Sequence, residues 1–88
     1  MSDDKPELRR QLEALDAEIK RTEPADDAQR QHLEALRNEV RAALDRPDGP
    51  HEGLGERFTE SLAHFEATHT ALSALIEQAL NTLSNAGI

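Results

Sequence analysis

Four runs of apolar residues, mostly spaced three or four apart, with Pro or Gly between the first three and threonines before the last, limit what this chain can become. Leu8, Leu12, Leu15 and Ile19 make the first run, and Leu33, Leu36, Val40 and Leu44 the second. Leu54, Phe58, Leu62 and Phe65 make the third, and Leu72, Leu75, Ile76, Leu80 and Leu83 the fourth. At 3.6 residues per turn this spacing lines one side of a helix, whereas a half-buried strand would alternate every second residue. The predicted fold is therefore all-α: a single small bundle of three amphipathic helices, or four if the last one breaks.

The punctuation between the runs sets the expected boundaries. A first helix is predicted over 6–21, with Asp4 as its cap, Pro6 in its first turn and Glu7 three residues after Asp4. Its stripe is as narrow as a coiled-coil seam. Pro24 stops that helix and opens a second, for which Thr22 or Glu23 is the expected cap, with Asp26 and Asp27 in the first turn, where the helix dipole favours acids. The connection is short, so 5–45 should fold as an antiparallel hairpin. Leu12-Glu13-Ala14-Leu15 recurs as Leu33-Glu34-Ala35-Leu36 twenty-one residues later, an echo that a shared helix-forming alphabet explains. Residues 46–53 hold two prolines and two glycines and form the one clear loop. Residues 54–85 read as a helix or a helix pair with a kink at 68–70, where Thr68 and Thr70 interrupt the pattern. The final helix is expected over 71–85, with Gly87 and Ile88 closing it.

Charge divides the chain unevenly. Residues 1–50 carry nine basic and thirteen acidic side chains, whereas 58–88 contain no Lys or Arg and only Glu60, Glu66 and Glu77. In the last helix Ala71, Leu72, Leu75, Ile76, Ala79, Leu80 and Leu83 cover about half the circumference. The opposite side, with Ser73, Glu77, Gln78, Asn81 and Ser84, is polar and nearly uncharged. A helix of this kind suits a place between neighbours. Phe58, Leu62, Phe65, Leu72, Leu75, Ile76, Leu80 and Leu83 are thus the candidate core and interface residues. A core drawn from 88 residues is small, which favours further burial by self-association. A homo-oligomer, a dimer foremost, or a bundle that binds another protein is expected.

Other classes of function fit poorly. The formal net charge of −8 repels phosphate backbones and anionic lipid, so nucleic acid and membrane surfaces are not expected partners. Phe58 and Phe65 are the only aromatic residues of the Phe, Tyr and Trp set, too few for a base-stacking platform. With no Cys there is no thiolate metal site and no thiol nucleophile. The charged start of the chain lacks the apolar core of a secretory signal, and no run approaches the ~20 apolar residues of a membrane span, so a cytoplasmic location is expected.

Histidine is the remaining source of chemistry. Glu60 and His64 are one turn apart on a helix, at a spacing that can share a metal, while His64 and His69 are five apart and point off a common side. Glu60, His64 and His69 are the weak metal candidates, and a third ligand would have to come from His32, His51 or another subunit. The plainer account makes Glu60 and His64 a surface pair and His69 a half-buried ring that bonds a backbone carbonyl or caps the following helix. No serine stands in a nucleophile elbow, and Gly49, Gly53 and Gly55 form no phosphate loop. The expectation is a non-enzymatic interaction or oligomerisation module without a cofactor. A small metal- or ligand-responsive regulator using His64 and His69, or an acidic decoy for a basic protein surface, is the alternative.

The closing segment, Phe65-Glu66-Ala67-Thr68-His69-Thr70 followed by the helix with Leu72 to Leu83 and the terminal Gly87-Ile88, resembles a small bacterial family of unknown function, DUF4404. Its members share the Leu-rich N-terminal helix pair and the Pro/Gly connector. They typically place Pro where this chain has Thr70, and often Met where it has Ala86. The resemblance implies a bacterial, compact, all-helical protein and carries over no functional residue.

Overall fold

The computed structural model describes residues 4–46 and 51–85. It is an all-α bundle of four helices among those residues: α1 (Asp4–Arg21), α2 (Asp27–Asp45), α3 (Leu54–Phe65) and α4 (Thr70–Asn85). Helix α1 packs on α2 and α4, α4 packs on α3, and α3 packs on α2, so the four close a ring. The bundle is elongated, 43 × 22 × 20 Å. Pro47, Asp48, Gly49 and Pro50 of the expected loop, and Gly87 and Ile88 of the expected helix stop, lie outside the described residues.

Each apolar run faces inward. Leu8, Leu12, Leu15 and Ile19 of α1 are buried, as are Leu33, Leu36, Val40 and Ala43 of α2. Leu54, Phe58 and Phe65 of α3 meet Leu72, Ile76, Ala79 and Leu83 of α4 in the same core. Leu44, Leu62, Leu75 and Leu80 are only half-buried at its margins. Burying a side chain of this size contributes about 1.5–3 kcal/mol, so these stripes are what hold the helices together.

The helix ends depart from the expected caps in instructive ways. Asp4 is the first residue of α1 rather than the residue that precedes it. Thr22 does not start α2 but finishes α1: its hydroxyl donates to the Glu18 carbonyl at 2.7 Å, and its backbone N–H donates to the same oxygen at 3.0 Å. The cap of α2 is Asp26, whose carboxylate accepts from the Gln29 backbone N–H at 2.9 Å. Gln29 answers by accepting from the Ala25 N–H at 2.8 Å. This is a reciprocal arrangement like a capping box, displaced by one residue at its return arm. Pro24 therefore lies in the turn and not in the first turn of α2. Before α3, Gly53 adopts φ +75, a left-handed conformation in which any side chain would be strained.

The pattern through 54–85 is broken, and α3 and α4 are separate helices joined by residues 66–69. The Phe65 carbonyl organises this turn. It accepts from the N–H of Thr68 at 3.2 Å and of His69 at 2.8 Å, after which the His69 carbonyl accepts the first α4 bond from Ser73 N–H at 2.9 Å.

Two parts of the expected inward arc are placed differently. Ala71 is exposed, and Ser73, expected on the polar side of α4, is buried. Ser73 is tolerated there because its hydroxyl donates to the His69 carbonyl at 2.7 Å. Thr82 is buried as well. Helix α4 is flanked by α1 on one side and α3 on the other, so its buried arc is wider than its apolar arc and takes in small polar residues at its edges.

Candidate functional site

Helix α2 turns His32 toward α3, and α3 turns His64 toward α2. Both lie at the flank of their apolar stripes: His32 is one residue before buried Leu33, and His64 is one before buried Phe65. The two rings stack, with centroids 3.8 Å apart and planes 30° from parallel. His32 is exposed and His64 is half-buried. The Nε2 atom of His64 is shielded from solvent and has no hydrogen-bond partner. An imidazole nitrogen in that position normally has a partner, because withdrawing a polar atom from water without one is costly.

The stack extends into a chain of rings. His64 meets Phe65 edge to face at 4.9 Å and 89°, and Phe65 meets His69 in the same way at 5.6 Å and 85°. Phe65 is fully buried, so it separates the two histidines of the α3 end. The ring of His69, which is half-buried, pairs through Nδ1 with the Thr68 hydroxyl at 2.9 Å. A second link crosses the same turn, where the Gln29 amide donates to the Thr68 hydroxyl at 3.4 Å.

Beside the stack runs a groove of about 640 Å³ between α2 and α3. Its lining includes Glu39 of α2 and Arg57 and Glu60 of α3, over a floor that contains buried Leu36. Arg57 donates to the Glu39 carboxylate at 3.1 Å and bridges the groove. Small side chains, Ala35, Ser61 and Ala63, keep it open. A family model for a domain of unknown function matches residues 8–88. The chain belongs to the DUF4404 family. No curated protein and no solved structure matches it.

Of the candidate metal residues, Glu60 and His64 share this groove in the DUF4404 bundle, and His69 does not. Among the described residues, no three His, Asp or Glu side chains converge as a metal site would require. The expected partnership of Glu60 with His64 is replaced by the stack of His64 on His32. Sequence spacing reveals partners on one helix but not across two, and only the flank position of each histidine hinted at this contact. The candidate interface residues also separate. Phe58, Phe65, Leu72, Ile76 and Leu83 are in the core, while Leu62 of α3 and Leu75 and Leu80 of α4 are partly buried against it. No helix among the described residues is long and apolar enough to cross a membrane.

Proposed function

We propose that this protein is a non-enzymatic helical interaction module that pairs with a second copy of itself through the outward side of α4. One observation carries the reading. In a chain with 18 acidic and 10 basic residues, the 16-residue α4 holds a single charge, Glu77. Ala71, Ala74, Gln78 and Asn81 are exposed on it nonetheless. Loss of charged residues, more than gain of apolar ones, separates the centre of a protein interface from ordinary surface. Half-buried Leu75 and Leu80 stand at the two margins of that side and would complete the contact.

Sedimentation equilibrium at micromolar concentration tests the proposal. A dimer is expected, together with a shift to monomer for Ala74→Glu without loss of helical circular dichroism, because Ala74 is exposed and the new charge would face the partner copy. A monomer over the whole concentration range, or a dimer indifferent to Ala74→Glu, overturns it.

A further inference from the structure

We propose that the α2–α3 seam is a docking groove for a basic amphipathic helix of another protein. Helices α2 and α3 leave two cavities between them. One is the groove of about 640 Å³ beside the histidines, and the other, of about 430 Å³, lies nearer the end of α2. Glu39 and Arg57 line both, so the two adjoin, with the Arg57–Glu39 bridge at the place where they meet. On α2 the lining runs from His32 to Arg46, about 21 Å at 1.5 Å per residue, a length that a partner helix of about 14 residues spans.

The chemistry of the lining selects the partner. It holds four acids, Glu39, Asp45, Glu52 and Glu60, against two bases, Arg46 and Arg57, a formal excess of two negative charges with histidine counted neutral. Asp45, Glu52 and Glu60 are exposed and enter no ion pair among the described residues. Arg57 shows how a guanidinium settles on this wall: it donates to Glu39 at 3.1 Å while its side chain stays 57% exposed. Beneath the carboxylates the lining is apolar, with Leu36, Ala43 and Leu54 of the core. Ala35, Ala42 and Ala63 are exposed along the edges, and their small side chains leave room for larger ones of a partner to enter as knobs enter holes. An apolar floor between acidic edges is the complement of a helix with leucines on one side and arginines along its flanks.

Other occupants fit less well. Nucleic acid and anionic lipid carry the wrong sign of charge. Neither α1 nor α4 lines either cavity, so the groove is separate from the outward side of α4, through which a second copy would pair.

Fluorescence anisotropy of a labelled synthetic helix tests the groove. The probe is a peptide of about 14 residues, with leucines along one side and arginines beside them, and its control carries Glu in place of every Arg. Saturable binding of the arginine peptide, and none of the glutamate peptide, is expected. Glu60→Gln should weaken binding about three- to tenfold. Glu34→Gln removes the same charge from an exposed position of α2 outside the groove, and at physiological salt it should leave binding within about twofold. Arg57→Gln, which frees Glu39, should tighten binding. Equal losses from Glu60→Gln and Glu34→Gln would mean that the peptide answers only to overall charge, and they overturn the proposal, as does a native protein that binds no arginine peptide. Sedimentation of Glu60→Gln without peptide should match the native protein; a changed association would give the groove to a second copy and also overturn it. Pairing through α4 is read separately from Ala74→Glu without peptide, so either idea can fail while the other stands.

Discussion

Asp16 stands beside Leu15 on the buried side of α1, and it is the most deeply placed acid described in the bundle. Three cations surround it: Lys20 at 3.4 Å from its own helix, and Arg37 at 3.7 Å and Arg41 at 3.9 Å from α2. One carboxylate thus ties the register of the hairpin, since it can face both arginines only when α1 and α2 are correctly aligned. The cations are about half exposed, so solvent weakens each attraction. Asp16→Asn should keep the shape and lose the charge, lowering stability by about 1–2 kcal/mol at low ionic strength. Part of that loss should vanish at about 1 M salt, where screening acts within about 3 Å. Urea midpoints of both proteins at two salt concentrations measure it. Equal salt dependence in the two would remove the register role. Nothing in the local sequence marks Asp16 as different from the other acids of α1, because its partners lie on another helix.

At the scale of the elements, the turn between α3 and α4 is where sequence and structure can be compared most closely. Thr70 is the first residue of α4, and its backbone N–H would be without a helical partner in any case. Pro is well suited to that position, since it fixes φ near −65° and gives up a donor that the helix does not use. Thr70→Pro should therefore be neutral or stabilising by up to about 1 kcal/mol, mainly by restricting the unfolded chain. Thermal unfolding followed by circular dichroism checks it, and a clear fall in Tm would mean that α4 begins elsewhere. The break itself was legible because Thr68 and Thr70 interrupt a helical alphabet, and the four stripes were legible because burial has a period. The cap of α2 was not, since Thr22 and Asp26 both carry a favoured capping oxygen near a proline. Hydrogen bonds decide among them: Thr22 is used by α1, and only Asp26 reaches the N–H of Gln29. The His32 and His64 contact was equally hidden. Periodicity tells which residues flank a stripe, but the rotation of each helix about its axis selects the neighbour.

Across the whole molecule, the ring closes between the first helix and the last, because α4 packs against both α1 and α3. Neither the α1–α2 hairpin nor the α3–α4 pair buries its stripe alone; each supplies the other half of the core. A bundle wired in this way should lose its helices together. Ile76 lies at the middle of the shared side of α4 and is fully buried. Ile76→Ala should cost about 2–5 kcal/mol through lost burial and the cavity left behind. The loss should also appear in α1, with which Ile76 shares no sequence neighbourhood. Hydrogen exchange of Ile76→Ala should lower the protection of α1 amides in step with those of α3, and urea unfolding should keep a single transition. Protection retained in α1 while α3 and α4 open would instead make the N-terminal hairpin an independent unit. In that case the charge asymmetry of the chain would mark two separately stable halves rather than two sides of one core.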